Sequence, residues 1–181
     1  MPMLEHIDRI DHRMCRACNQ ALRWRLIHPF FSLISRAGDG PIWYALIAAL
    51  PVYASLSGQS KGHYAAGSLA VAGLAGLMIY RFLKTRLARE RPFITYPDID
   101  CTNQPLDRYS FPSGHTLHAV MFTTITVAWF PAFAVVLIPL TLLIAASRLV
   151  LGLHYPTDVI VGALIGFALA QYMLYLLPPM A

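Results

Sequence analysis

The longest stretch without a charged residue runs from Tyr109 to Ser147 and reads YSFPSGHTLHAVMFTTITVAWFPAFAVVLIPLTLLIAAS. It is about twice the roughly 20 residues that a helix needs to cross the hydrocarbon core of a membrane. Trp129, Phe130 and Pro131 divide it near its middle, and an aromatic pair followed by proline is typical of a turn at the membrane interface. The stretch therefore predicts two membrane-spanning helices, and with them a chain of the all-α class.

Shorter charge-free stretches on either side are long enough for one crossing each. The chain has 181 residues, of which 57% are hydrophobic and only 13% are charged. Soluble domains average about a quarter charged residues, so this composition excludes an ordinary soluble globule, and it equally excludes a disordered chain. We expect a polytopic membrane helical bundle with about five transmembrane helices, at about residues 40–59, 63–83, 114–130, 132–150 and 158–177.

The first 37 residues have a different pattern. Ile7, Ile10 and Met14 recur at helical spacing with charged residues between them, which is typical of an amphipathic helix lying on a membrane surface. A second short helix is expected around Phe30 to Ser35. The chain is thus divided into an interfacial amphipathic N-terminal segment, residues 1–37, and a membrane-embedded domain, residues 38–181.

The three cysteines do not predict a metal site. Cys15 and Cys18 form a C-x-x-C pair and Cys101 stands alone. Zinc would need two further ligands at suitable spacing, and none is evident nearby. Ordinary thiols are the favoured interpretation, with a redox pair as the alternative.

Three polar clusters stand at the ends of the predicted spans, where charged side chains are costly unless they contact ions or substrate. They lie at residues 84–92, 112–115 and 147–158. In an alternating topology, the end of the second span, the start of the third, the end of the fourth and the start of the fifth share one membrane face. We therefore expect the three clusters to converge.

The clusters read Lys-x6-Arg-Pro, then Pro-Ser-Gly-His, then Ser-Arg-x5-His-x3-Asp. In that order they resemble the motifs of the type-2 phosphatidic acid phosphatase family, the lipid phosphate phosphatases related to vanadium haloperoxidases. The motifs cover residues 84–158, and the helices around them extend the resemblance to about residues 40–177. The resemblance implies hydrolysis of a phosphate or pyrophosphate group from a membrane lipid through a phosphohistidine intermediate, with no metal and no cofactor.

The resemblance also implies a role for each motif residue. His154 is the expected nucleophile, Asp158 the carboxylate that orients it, and His115 the acid that protonates the leaving group and then activates water. Cations and backbone N–H groups would bind the phosphate. The residues expected to bind it are Lys84, Arg91, Ser113, Gly114 and Arg148.

The remaining polar residues receive no catalytic role. Arg81, Arg86 and Arg89 are interpreted as a basic stretch flanking the membrane. Three interpretations of the segment from 93 to 111 stay open: it contacts a headgroup, it gates the site, or it is a solvated loop. None of its polar residues is assigned to the site: Asp98, Asp100, Asn103, Asp107, Arg108 and Tyr109. Gly162 and Gly166 form a G-x-x-x-G pair that is typical of close helix packing.

A site at a bilayer interface predicts a lipid phosphate as the partner, either a polyprenyl or a glycerolipid phosphate. The net charge of +5 does not indicate nucleic acid in so apolar a chain, and the oligomeric state stays open. Two alternatives share the motifs. One is a phosphotransferase that passes the phosphate from His154 to another lipid, and the other is a non-catalytic lipid-phosphate binder or transporter.

The basic residues also predict an orientation. With five spans, every Lys and Arg except Lys61 falls on the face of the site. The positive-inside rule then places this face in the cytoplasm of a bacterial inner membrane, whereas bacterial members of the family usually present the site to the periplasm. We follow the distribution of positive charge and predict that the site faces the cytoplasm.

Overall fold

The computed structural model describes residues 2–58, 61–101, 105 and 107–179, with the side chains of residues 2–4 excluded. The regular secondary structure in this part of the chain is entirely helical, with no strand. Short 3-10 turns occur at Gln20–Arg23 and Pro131–Phe133. The helices are α1 (Pro2–Asn19), α2 (Ile27–Ala37), α3 (Pro41–Ser57), α4 (Lys61–Leu87), α5 (Pro92–Thr95), α6 (Gly114–Trp129), α7 (Ala134–Val150) and α8 (Pro156–Leu176).

The five long apolar segments are helices, and their bounds agree with the predicted ones to within a few residues. The turn at Pro131–Phe133 separates α6 from α7 where the aromatic pair and the proline predicted a break. The all-α class is therefore confirmed. The predicted helix around Phe30 to Ser35 is longer than expected, since α2 runs from Ile27 to Ala37.

Within the described part of the chain, three segments are long and apolar enough to cross a membrane: Lys61–Thr95, Pro131–Val150 and Pro156–Leu176. A fourth crossing is added if α2 and α3, which meet at a bend of 47°, count as one span. Helix α6 has only 16 residues, about 24 Å of helix, and falls short of the usual thickness of the hydrocarbon core. The chain is thus a membrane helical bundle, and the predicted number of five spans is not confirmed.

The outer surface of the bundle carries large apolar side chains, as expected of a protein that faces lipid. Leu74 and Phe82 of α4, Val135 and Leu142 of α7, and Leu164 of α8 are all more than half exposed. In water these side chains would form an unfavourable apolar surface, whereas in a bilayer they contact acyl chains.

Helix α6 lies at the centre of the bundle and packs against α8, α4 and α7. The contact with α8 is the most extensive, and it depends on the G-x-x-x-G pair. A Cβ at position 162 would lie 2.6 Å from the carbonyl oxygen of Ser113, and one at 166 would overlap the carbonyl of Leu117. Only glycine lets the two backbones approach this closely.

This close packing fixes the ends of the helices that carry the motifs. The backbone N–H of Ser113, just before α6, donates to the carbonyl oxygen of Asp158 at 3.0 Å. Asp158 in turn caps α8, because its Oδ2 accepts the N–H of Tyr155 at 2.9 Å. The start of α6 and the start of α8 are therefore held as one unit.

Helix α1 packs against α7 and α8 and is tied to the segment that follows α5. The ring of His12 stacks on Tyr96 at a centroid distance of 3.8 Å. Asn19 donates from Nδ2 to the carbonyl oxygens of Asp100 and Val150, both at 2.9 Å. The division into an interfacial segment, residues 1–37, and an embedded domain, residues 38–181, stays a prediction.

Candidate active site

His154 lies in the short connection between α7 and α8 and is 1% exposed. Its backbone N–H and that of Leu153 both donate to the carbonyl oxygen of Arg148, at 3.1 and 3.0 Å. Arg91 fixes the same connection from the other side, because its Nη1 donates to the carbonyl oxygen of Leu153 at 2.7 Å and lies 3.4 Å from Nε2 of His154. The imidazole is thus held beside two of the predicted phosphate-binding arginines.

The other ring nitrogen of His154 faces Asp158. Nδ1 lies 3.6 Å from Oδ2 of Asp158, too far for a hydrogen bond, and has no hydrogen-bond partner among the described residues. Burial, together with the positive charges of Arg148 and Arg91, lowers the pKa of His154 well below its ordinary value. The ring is therefore neutral and retains the lone pair that a nucleophile needs.

Lys84 and Arg91 meet at one carboxylate, that of Asp107. The Nζ of Lys84 lies 2.7 Å from each carboxylate oxygen, and Nη2 of Arg91 donates to Oδ1 at 2.7 Å. The hydroxyl of Tyr80 also donates to Asp107. Burial opposes ionisation of Asp107, but the hydrogen bonds from Lys84 and Tyr80 outweigh it and lower its pKa to about 2. The carboxylate is therefore charged at every physiological pH.

Arg148 supplies the third cation and is 4% exposed. Its Nη1 donates to the hydroxyl of Ser35 in α2, while its Nε has no hydrogen-bond partner among the described residues. A buried N–H donor that lacks an acceptor costs about 1–3 kcal/mol. Nε of Arg148 and Nδ1 of His154 are thus buried with hydrogen-bonding capacity unused among the described residues.

The Pro-Ser-Gly-His motif forms the start of α6. Ser113 is fully buried, and its hydroxyl pairs with that of Thr116 at 3.0 Å, so its N–H and side chain are both engaged within the protein. Gly114 packs against Tyr80, whose ring would lie 2.7 Å from a Cβ at that position. His115 contacts Asp39 through Nε2.

The structure therefore brings all eight predicted site residues to one end of the bundle: catalytic His154, His115 and Asp158, and phosphate-binding Lys84, Arg91, Ser113, Gly114 and Arg148. Their roles stay predictions. The convergence follows from the packing of α6 on α8 and from Arg91, which donates to the carbonyl oxygen of Leu153 in the connection before α8.

The interpretation of Arg89 as a membrane-flanking residue is wrong. Its Nη1 donates to Oδ1 of Asp158 at 2.9 Å and to the hydroxyl of Thr157 at 2.7 Å, and its Nη2 donates to Oδ2 of Asp11 at 2.7 Å. Asp11 and Asp158 are 1% and 0% exposed. Arg89 therefore neutralises two buried carboxylates and links α1 to the start of α8.

Sequence analysis also assigned no site contact to Asp107 and Asp39. Asp107 lies in the 93–111 segment and contacts Lys84 and Arg91. The same segment is tied to α1, because Asp98 pairs with Arg16 and His12. Asn103, named with that segment, lies outside the described residues. A carboxylate between two glycines, as in 38–40, is the one local signal that points to Asp39.

Cys15 and Cys18 are thiols in α1. The Sγ of Cys15 donates to the carbonyl oxygen of His154 at 3.6 Å. Burial raises the pKa of Cys15 to about 12, so the reactive thiolate does not form near neutral pH. This favours a packing role for Cys15 and disfavours the redox pair.

An apolar cavity of about 530 Å³ adjoins the site between α3, α4 and α6. Asp39, His115 and Tyr80 are among the residues that line it. Its lining also includes Tyr44 and Leu74, which are 71% and 60% exposed on the outer surface. The cavity thus connects the histidine of α6 with the part of the bundle that faces lipid.

Comparison with known proteins identifies the family of this chain. The model of the PAP2 superfamily matches residues 64–179. Decaprenylphosphoryl-5-phosphoribose phosphatase of Mycolicibacterium smegmatis is 38% identical over 124 residues, 66% of this chain and 62% of that protein. Lipid A 1-phosphatase of Rhizobium etli is 35% identical over 68 residues, 36% of this chain and 29% of that protein. The chain thus spans less than two thirds of the length of either curated relative.

Two solved structures share the fold. The LpxE protein of Aquifex aeolicus superposes with a TM-score of 0.79 at 28% identity, over 92% of this chain and 95% of that chain. A phosphatidylglycerolphosphate phosphatase from Bacillus subtilis gives a TM-score of 0.77 at 20% identity, over 94% of this chain and 86% of that chain. The resemblance that rested on three motifs is confirmed, and this chain belongs to the PAP2 superfamily.

Proposed function

We propose that the protein hydrolyses a phosphate or pyrophosphate group from a membrane lipid through a phosphohistidine at His154. The observation that carries the proposal is the buried Nε of Arg148, which has no hydrogen-bond partner among the described residues. An unused cationic donor beside a neutral imidazole is what an oxyanion that reacts with that imidazole would require.

The charges of the site also fit a phosphomonoester. Lys84, Arg91 and Arg148 carry three positive charges, and Asp107 contacts two of these residues with one negative charge. The excess of two positive charges matches a phosphate, which carries about 1.5 to 2 negative charges at neutral pH. The phosphate would replace Asp107 as the partner of Lys84 and Arg91.

The reaction proceeds in two balanced steps. Nε2 of His154 attacks phosphorus, the bond between phosphorus and the ester oxygen breaks, and protonated His115 gives its proton to the leaving alkoxide. Water then attacks the phosphohistidine and gives a proton to His115, and inorganic phosphate leaves as His154 regains its lone pair. The three cations stabilise the charge on the transferring group in both steps.

The apolar cavity of about 530 Å³ beside His115 supports the proposal that the substrate is a lipid. An apolar chain that enters past Tyr44 and Leu74 would reach the site from within the bilayer. The curated relatives are named for a decaprenyl-linked sugar phosphate and for lipid A. Both are phosphates on long apolar anchors, and we propose a polyprenyl or glycerolipid phosphate for this chain.

The test is release of inorganic phosphate by the purified protein in detergent micelles, from polyprenyl, glycerolipid and lipid A phosphates. We expect release from at least one lipid, little release from glycerol phosphate, and full activity in EDTA, because cations take the place of a metal. His154→Ala should be inactive and the exposed Arg86→Met unchanged. Equal activity on glycerol phosphate, or loss in EDTA restored by magnesium, would contradict the proposal. If the phosphate of a labelled substrate were transferred to a second lipid instead of water, the protein would be a phosphotransferase.

We further propose that the site faces the cytoplasm from a bacterial inner membrane. The support is the distribution of positive charge, because all of the Lys and Arg residues except Lys61 belong to the end of the bundle that carries the site under a five-span topology. A reporter fused after residue 181 tests this. Activity of a periplasm-dependent phosphatase reporter is expected, and fluorescence of a cytoplasm-only reporter would contradict the assignment.

A further inference from the structure

The corner between α2 and α3 brings a second carboxylate to a histidine of the site. Oδ1 of Asp39 contacts Nε2 of His115, although the two residues lie 76 positions apart. Their side chains are 32% and 12% exposed. Asp39 also lies outside the part of the chain that the family model matches.

The backbone of the corner is shaped for this contact. Gly38 packs so closely that a Cβ there would lie 3.3 Å from Cδ2 of His115. Gly40 has a φ of +133°, a conformation that residues with side chains rarely adopt. The N–H of Asp39 donates to the carbonyl oxygen of Arg36 at 3.1 Å, which fixes the turn.

A second contact anchors the same corner to the site. The hydroxyl of Ser35, on the last turn of α2, accepts a hydrogen bond from Nη1 of Arg148. Ser35 is 4% exposed. The corner is therefore attached to both Arg148 and His115. The position of Asp39 thus does not depend on its ion pair with His115 alone.

We propose that Asp39 is a positioning residue that holds His115 in the tautomer and orientation needed for proton transfer; the inference rests on the proposed phosphatase reaction. The carboxylate accepts the Nε2–H of His115 and stays ionised throughout. Nδ1 is then the nitrogen that exchanges protons. It gives a proton to the leaving alkoxide as the bond between phosphorus and the ester oxygen breaks, and it takes one back from the water that attacks the phosphohistidine.

The substrate chemistry separates this role from a structural one. An alkyl phosphate has a poor leaving group and needs the acid, whereas a nitrophenyl phosphate has a good one and needs it much less. We would therefore compare a long-chain alkyl phosphate with a nitrophenyl phosphate that carries a chain of the same length on its ring. The rate of the first chemical step is measured for each in single-turnover experiments.

With Asp39→Asn we expect the first step to slow about 10- to 100-fold for the alkyl phosphate, within the range that general acid catalysis provides. For the nitrophenyl phosphate the change should stay within about threefold, since the acid is then dispensable. Asp39→Glu, which keeps the carboxylate, should recover part of the alkyl rate. Asp98→Asn removes an Asp–His pair outside the site and should change neither rate.

Equal slowing of both substrates, or slowing of neither, would overturn the role of Asp39. Loss of the folded state in both Asp39 variants would also overturn it, because the contact would then be structural. These outcomes differ from failure of the proposed function. In that case the unaltered protein would release no phosphate from either substrate, and both proposals would fall together.

Discussion

Nη1 of Arg89 donates to Oδ1 of Asp158 at 2.9 Å, and this bond occupies the carboxylate oxygen that does not face His154. The other oxygen, Oδ2, accepts the N–H of Tyr155 and lies 3.6 Å from Nδ1 of His154. The orientation of the carboxylate is thus set before any substrate binds. Arg89 extends the site to α1, since its second amino group binds Asp11.

Replacing Arg89 by methionine should destabilise the protein by about 3–5 kcal/mol, because two buried carboxylates lose their counter-charge. Arg86→Met is the matched control, since Arg86 belongs to the same basic stretch but lies over the ring of Phe82 near the surface. Thermal unfolding in detergent measures both variants. Equal melting temperatures for the two would show that Arg89 is only a flanking residue.

Asp107→Asn should make vanadate bind about tenfold more tightly or better, since a hydrogen bond to a charged group contributes about 1.5–3 kcal/mol and the variant removes a competing anion. Vanadate adopts a five-coordinate form that resembles the phosphoryl transition state. Asp100→Asn, in the same segment, is the control, because its backbone alone makes the described hydrogen bonds. Weaker vanadate binding by Asp107→Asn would mean that the carboxylate supports the occupied site.

The ionised carboxylate of Asp107 should also contribute to the stability of the folded protein, and acid should remove that contribution. The pKa of Asp107 falls to about 2 in the folded protein, against about 3.9 for an unfolded chain, so its contribution is complete above pH 4 and is lost as the pH falls toward 2. We expect the melting temperature of the unaltered protein to fall more steeply over this range than that of Asp107→Asn. Parallel curves would show that the ion pair contributes nothing to folding.

Gly166→Ala should destabilise the bundle by more than about 3 kcal/mol, at or above the usual cost of overpacking, because the new methyl group overlaps backbone atoms of Leu117 that cannot move aside. Gly67→Ala in α4 is the control, since nothing lies within 4 Å of a Cβ there. Melting temperatures in detergent compare them. A stable Gly166→Ala variant would mean that α6 and α8 separate easily.

The helices could be predicted from the sequence, because the length of a charge-free stretch is a local property. The convergence of the motifs could be predicted because an alternating topology puts those helix ends on one membrane face. The partners of the motif residues were not predictable in this way. Asp39, Asp107 and Asp11 reach their partners across 76, 16 to 27, and 78 to 146 positions of chain, and no spacing rule relates such residues.

The predicted count of five spans is not confirmed, for a related reason. Hydrophobicity predicts which segments enter the membrane, but the depth of a short helix such as α6 depends on its packing against α8 and α4. The burial of Thr116, Thr123 and Thr126 shows that α6 is covered largely by protein. A helix in that position needs less length than one exposed to lipid.

His154 should carry the phosphoryl group between the two steps, and trapping the intermediate tests this most directly. His115→Ala should still be phosphorylated by a ³²P-labelled nitrophenyl phosphate with a long chain, because that leaving group needs no acid, but it should hydrolyse the intermediate slowly. After an alkaline quench and peptide mass spectrometry, we predict acid-labile phosphate on His154, close to one per protein, and none when His154→Ala is added. Release of nitrophenol without label on the protein, or label that persists in His154→Ala, would contradict the account.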